Sequence, residues 1–165
     1  DKSKFEILYS EYKNLMYYTA NHILRNSSDA EDVVHQAFLK VIEILDTISS
    51  PRCHKTRALL VTITEHKAID LYREKQRRNV LPLAEEYIGA APAAEIERLA
   101  ERDTLAAAIA SLPPRYRSVL LLRYDCGYSN AEIANILDTT EPNVRKLIQR
   151  AKEKLSAALS GMEEP

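Results

Sequence analysis

Glycine occurs only three times in the 165 residues, so a β sandwich or barrel punctuated by glycine turns is excluded as a natural reading. Cysteine is scarcer still. Cys53 and Cys126 lie far apart, form no C-x-x-C pair, and are too few for a disulfide-stapled secreted scaffold. They read as reduced thiols. No apolar run approaches the length needed to span a membrane, and the opening residues Asp1 to Lys4 are charged, so a cytoplasmic chain without membrane insertion is expected. Charge of one sign is also missing. With 23 Lys and Arg against 24 Asp and Glu, the net charge is −1, and no global field draws the molecule onto nucleic acid. Any nucleic-acid site must be a local patch.

What is present favours helices. Ala, Leu, Ile, Glu, Lys and Arg dominate, and 45% of the chain is hydrophobic, enough for one compact domain or two small ones. Phe5, Leu8, Tyr9, Tyr12, Leu15, Met16 and Ile23 fall at helical spacing until Asn26 and Ser27 interrupt them. Ser28 with Glu31 reads as a capping box. It opens a second amphipathic helix through Ala30, Val33, Val34, Ala37, Phe38, Val41, Ile42 and Leu45. Thr47 to Lys55 is expected to be a loop. A third helix is predicted from about Thr56 to Arg78, with Leu59, Leu60, Ile63, Ile69 and Tyr72 apolar and a basic run at its end.

From Asn79 to about Arg102 the character changes, because Pro82, Gly89 and Pro92 break any period and Glu85, Glu86, Glu95 and Glu97 make the stretch acidic. It reads as a linker, with helical character returning near Ala94. A second helical group begins near Asp103. Leu105, Ile109 and Leu112 form one stripe, stopped by Pro113-Pro114, with Pro114 suited to the first position of the next helix. That helix carries Val119, Leu120, Leu122 and Tyr124 and ends near Gly127. Ser129 with Glu132 forms a second capping box before a short helix to about Leu137, and Thr140 caps a long last helix ending near Gly161. The fold class expected is therefore all-α: a three-helix bundle over residues 1–78, a flexible linker over 79–101, and a four-helix domain over 102–165.

The strongest functional signal lies in Ser129 to Lys154, where a short helix, a three-residue turn and a longer helix make a helix-turn-helix. Val144 and Ile148 face inward. Asn143, Arg145, Lys146, Gln149 and Arg150 face outward and carry the donors and acceptors that match base edges in a major groove. Lys152 and Lys154 are expected nearer the phosphates. The same charges also suit the solvated face of a plain helical hairpin. Arg73, Lys75, Arg77 and Arg78 form a candidate phosphate strip, with Arg57 and Lys67 further back, though cations at a helix C-terminus are also what the helix dipole favours. Asp29, Glu31, Asp32 and Gln36 make the second helix acidic at its start. This suits the dipole equally, or offers a surface to a basic partner.

Catalysis finds little support. Asp32 and His35 have carboxylate-x-x-His spacing but no second copy, His66 and Asp70 are one turn apart without a nucleophile, and Cys53-His54 lacks nearby partner ligands. No catalytic residue, metal site or cofactor is assigned.

Taken together, four segments in order resemble the extracytoplasmic-function (ECF) group of bacterial sigma factors over nearly the whole chain. They are Asp29-Ala30-Glu31-Asp32-Val33-Val34-His35-Gln36-Ala37-Phe38-Leu39-Lys40, the stretch from Arg57-Ala58-Leu59-Leu60 to Ala68-Ile69-Asp70-Leu71-Tyr72-Arg73, Leu112-Pro113-Pro114-Arg115-Tyr116-Arg117, and Ser129 to Lys152. The resemblance implies a transcription initiation factor without enzymatic activity, with core RNA polymerase and promoter DNA as partners and an anti-sigma factor as a common further one. It places Asp29, Glu31, Asp32 and Gln36 on the polymerase clamp. Arg57, Leu59, His66, Lys67, Arg73 and Arg77 fall at the minus-ten element, with the loop of Thr47 to Arg57 holding a flipped base. Asn143, Arg145, Lys146, Gln149 and Arg150 fall at the minus-thirty-five element. The linker resembles the segment that threads the RNA exit path. This chain departs from the pattern at Leu59, where the family has Trp, at His66, where it has Asn, and at Asp138, where the turn has Gly. A neutral imidazole can still bond to or stack on a base, and Asp tolerates left-handed backbone. The alternative reading is a stand-alone helix-turn-helix regulator that binds duplex DNA as a dimer.

Overall fold

The computed structural model describes residues 2–79 and 101–163, and the expected linker lies almost wholly outside them. The described residues are helical and contain no strand. The chain divides into two compact units, Asp1–Leu83 and Ala84–Pro165.

The first unit holds α1 (Lys2–Leu24), α2 (Ser27–Glu43), a short 3₁₀ turn (Leu45–Thr47) and α3 (His54–Asn79). The buried face of α1 is Leu8, Tyr12, Met16, Ala20 and Ile23, at three- and four-residue spacing. Arg25 ends this helix with φ +51°, its N–H donating to the Asn21 carbonyl at 2.8 Å. The start of α2 differs from the expected capping box at Ser28. Asn26 is the cap, its side-chain oxygen accepting from the Asp29 N–H at 3.0 Å, because Ser27 and Ser28 already lie inside the first turn. Phe38 of α2 meets Phe5 and Tyr9 of α1, with ring centroids 5.8 and 5.0 Å apart. Ile42 was expected in the buried stripe but is 51% exposed, while its neighbour Val41, also expected there, is fully buried.

Helix α3 packs against both α1 and α2. Its buried residues Leu59, Leu60, Thr62, Ile63, Thr64, Ala68 and Ile69 run round more than one face. The Thr64 hydroxyl satisfies itself by donating to the Leu60 carbonyl at 2.8 Å.

The second unit holds α4 (Thr104–Ser111), α5 (Pro114–Leu120) running into a π-type turn (Leu121–Asp125), α6 (Asn130–Ile136) and α7 (Glu141–Glu163). Asp103 caps α4, accepting from the Leu105 N–H at 3.0 Å. The expected Leu105–Ile109–Leu112 stripe is only partly the core face. Ala107 and Ala108 are fully buried, and these small side chains let α4 lie close on α7. Leu105 is left exposed on the wall of an apolar groove of about 430 Å³, shared with Ile109, Leu120, Leu121, Tyr124 and Leu155. Pro114 occupies the first turn of α5, as expected. Helix α7 passes through Gly161 and runs to Glu163, close to its expected end.

Candidate nucleic-acid and polymerase interfaces

The helix-turn-helix is built from α6, a tight turn and α7. The Ser129 hydroxyl accepts from the Glu132 N–H at 3.2 Å, and the Glu132 carboxylate accepts from the Ser129 N–H at 2.7 Å, a complete capping box. The turn that follows requires a left-handed residue, and Asp138 supplies it with φ +52°. The Thr139 N–H donates to the Ala134 carbonyl at 2.9 Å and the Asp138 N–H to the Asn135 carbonyl at 3.4 Å. This pair of bonds is the Schellman closure that usually takes glycine. Thr140 then caps α7, accepting from the Asn143 N–H at 3.4 Å.

These devices fix the rotation of α7. Val144, Ile148 and Ala151 are buried against the domain. Asn143, Arg145, Lys146, Gln149 and Arg150 all stand on the exposed side. Two of them are locally tethered: Arg145 lies 3.7 Å from Glu141, and the Asn143 amide donates to Thr139 at 3.2 Å. Lys152 and Lys154, expected near phosphates, lie over the rings of Tyr124 and Tyr116 at 5.3 and 5.4 Å.

In the first unit the acidic residues divide between two stripes of α2. Asp29, Asp32 and Gln36 are three and four residues apart and share one. Glu31 lies one step round the helix, with His35 and Ile42. The sequence reading missed Leu39, an apolar residue 63% exposed on the same side as Asp32 and Gln36. Its signal is an apolar side chain off the buried period. Asp29 is also bound within the unit, forming an ion pair with Lys75 of α3.

On α3, His66, Arg73 and Arg77 follow one stripe with Asp70, and the His66 ring lies 3.5 Å from the Asp70 carboxylate. Arg57 and Arg77 are exposed, and Arg73, His66 and Lys67 are half-buried. Lys67 falls off this stripe, and Lys75 points away from it toward α2, so the basic run is not one strip. Leu59 requires a correction. It is 2% exposed inside the bundle, so its side chain is a core element and presents no surface to DNA.

The loop before α3 is pinned at several points. Tyr12 donates to the Pro51 carbonyl at 2.9 Å, Lys4 to the Ile48 carbonyl at 2.9 Å, and Arg52 to Glu11 at 3.2 Å. Burial pushes the Tyr12 hydroxyl above its ordinary pKa, with the nearby Cys53 and Glu11 adding to it. Hydrogen bonding from Thr56, through its side chain first and its backbone next, holds the Cys53 thiol below its ordinary value. Among the described residues, no group of three His, Cys, Asp or Glu side chains is arranged to hold a metal, and no helix is long and apolar enough to cross a membrane.

The two units define a helical protein with a helix-turn-helix module in one body and an acidic and basic helical bundle in the other. Residues 8–78 match the model of Sigma-70 region 2 and residues 102–155 that of Sigma-70 region 4, together about three quarters of the chain. The ECF RNA polymerase sigma factor SigW of Bacillus subtilis is 26% identical, covering 96% of this chain and 90% of its own. The ECF RNA polymerase sigma factor SigL of Mycobacterium tuberculosis is 27% identical, covering 92% of this chain and 86% of its own. A solved structure of the sigma factor RpoE in complex with the anti-sigma factor NepR from Bartonella quintana aligns at a TM-score of 0.43 and 17% identity, covering 92% of this chain and 94% of that one. The chain belongs to the ECF group of RNA polymerase sigma factors. It binds core RNA polymerase and directs it to promoters.

Proposed function

We propose a division of labour between the units in which α2 of the first meets polymerase, α3 of the first meets the minus-ten element, and α7 of the second reads the minus-thirty-five element. The observation that carries it is the rotation of α7. A capping box, a Schellman turn and three buried residues leave Asn143, Arg145, Lys146, Gln149 and Arg150 together on the open side. Arg can bond in a fork to guanine, and Asn and Gln pair with adenine. On α2, Asp29, Asp32 and Gln36 form the polymerase stripe, with Glu31 beside it and Leu39 adding apolar area. On α3, Arg57, His66, Lys67, Arg73 and Arg77 are the candidates for the melted element, and Leu59 supports them from the core.

The chain acts by recruitment and carries no catalysis of its own, and its place is the cytoplasm, where polymerase is. An anti-sigma protein is a further partner that fits the family, competing for the faces that polymerase uses. The match of residues 8–78 to Sigma-70 region 2 favours this reading over a stand-alone dimeric regulator.

The test is promoter-specific transcription from a fragment library with core polymerase. Transcripts whose starts depend on the added chain support the reading, and the Asp32→Lys variant should lower core binding about tenfold or more while melting normally. Undiminished co-purification of that variant with core enzyme would remove α2 from the polymerase surface.

A further inference from the structure

We propose that Lys75 is a charge shared between the two working faces of the first unit. In the free chain it holds Asp29. When a cation of polymerase takes Asp29, Lys75 is released toward DNA phosphate at the end of α3. The inference rests on the reading above that the acidic stripe of α2 meets polymerase.

The pair joins residues 46 positions apart, the first turn of α2 to the last turns of α3. The Asp29 side chain is 18% exposed and the Lys75 side chain 46%. The carboxylate is therefore partly enclosed, while the ammonium opens to solvent on a long flexible stem. Asp29 stands in the first turn of α2, where the helix dipole attracts an anion. A basic partner arriving along Asp29, Asp32 and Gln36 thus meets one carboxylate already occupied by a cation of the chain itself.

The other end of the pair matters equally. Lys75 lies within a turn of Arg73, Arg77 and Arg78, and Arg78 is bound to Glu74 at 2.9 Å. Two cations at the end of α3 are thereby offset by carboxylates in the free chain, one from the same helix and one from α2. Exchange of Asp29 to polymerase uncovers one of them. Lysine suits this role because its ammonium is a point charge without a fixed fork to break. Lys75 does not share the stripe of His66, Arg73 and Arg77, but its stem is long and flexible, and a released ammonium acts on any phosphate within a screening length of about 10 Å at moderate salt.

Linkage makes the effect reciprocal. If polymerase binding frees Lys75 for DNA, DNA binding at α3 frees Asp29 for polymerase by the same factor. The pair is partly exposed, so the factor is modest, about two- to fivefold in each direction.

The experiment measures binding of the labelled full-length chain to core polymerase without DNA, and the salt dependence with which the resulting holoenzyme binds a promoter duplex. Lys75→Ala should tighten core binding by about two- to fivefold, and should lower the salt slope of promoter binding by about one ion. Lys75→Gln removes the charge but keeps the first part of the stem and should behave alike, so a packing defect in the first variant is separable. Asp29→Asn should weaken core binding, and in that background Lys75→Ala should lose its tightening effect.

Core affinity that stays level or falls in both Lys75 variants, while Asp29→Asn still weakens it, overturns the shared charge and leaves the polymerase stripe standing. Core affinity indifferent to Asp29→Asn overturns both the shared charge and the role of Asp29. Asp32→Lys then decides whether the rest of the stripe stands.

Discussion

At the residue scale the loop between α2 and α3 shows how a few polar atoms prepare a surface. Ser50 to Cys53 carry no regular structure, so their backbone groups must be satisfied from outside. Tyr12 binds the Pro51 carbonyl, and the Thr56 hydroxyl lies 2.5 Å from the Ser50 carbonyl and 3.3 Å from the Cys53 sulfur. That hydroxyl has one proton and can serve one of them at a time. With the thiol neutral it binds the carbonyl; on ionisation it can turn to the sulfur, aided by backbone N–H groups at the start of α3. The thiolate is thus favoured, and the Cys53 pKa falls below the ordinary 9.0. Its ionised form gains stability from the fold, a contribution present above the unfolded pKa and lost as pH falls through the folded one. In a Cys126→Ser chain, alkylation of Cys53 should rise with pH to a midpoint below 9.0, and Thr56→Val should move that midpoint back up. A midpoint at or above the free-thiol value would show that Thr56 does not supply the stabilising proton.

At the element scale, legibility depended on whether a signal was local. Ser129 and Glu132 could be paired from spacing alone, because a capping box is closed within four residues. Asp138 could be read as the turn residue for the same reason. The cap of α2 was misplaced by two residues because Asn26, Ser27 and Ser28 are all good cap formers, and only packing of the first turn decides among them. Leu105 and Ile42 were assigned to the core by period, yet tertiary packing leaves both exposed, buries Ala107 and Ala108 instead of Leu105, and keeps only Val41 of the adjacent Val41-Ile42 pair inside. Leu59 stands among the apolar residues of α3 read from the sequence, and only the family resemblance set it at DNA; the structure keeps it in the core. The ion pair of Asp29 with Lys75 joins separate helices and leaves no trace in sequence spacing. Asp138 gives a test at this scale. Its left-handed backbone costs a non-glycine residue about 1 kcal/mol, less for Asp than for Ala. Asp138→Ala should lower the stability of the second unit by a fraction of that, about 0.5 kcal/mol, while Asp138→Gly should melt at or above the parent temperature. The reverse order, read by urea denaturation, would mean that the Asp138 side chain matters more than its backbone.

For the whole molecule the deciding quantity is a charge that nearly cancels. A net −1 means that the free chain has no general attraction to a polyanion, and its cations act only where helices gather them. On the proposed reading α7 meets the duplex while polymerase holds the chain in place, and Arg150 tests whether it does so at a base edge or at a phosphate. It is exposed one turn beyond Lys146 on the open face of α7, close to the buried Ile148 and Ala151 that fix its direction. If Arg150 bonds to a base edge, Arg150→Ala should cost the holoenzyme about 1–3 kcal/mol on a promoter with its upstream element intact. The same variant should lose little on a promoter whose upstream element is scrambled. If Arg150 instead holds a phosphate, the loss should be equal on both promoters, and the salt slope should fall by about one. Transcription from paired templates at two salt concentrations separates these outcomes. Equal output from variant and parent on every template would place promoter reading on other residues of α7.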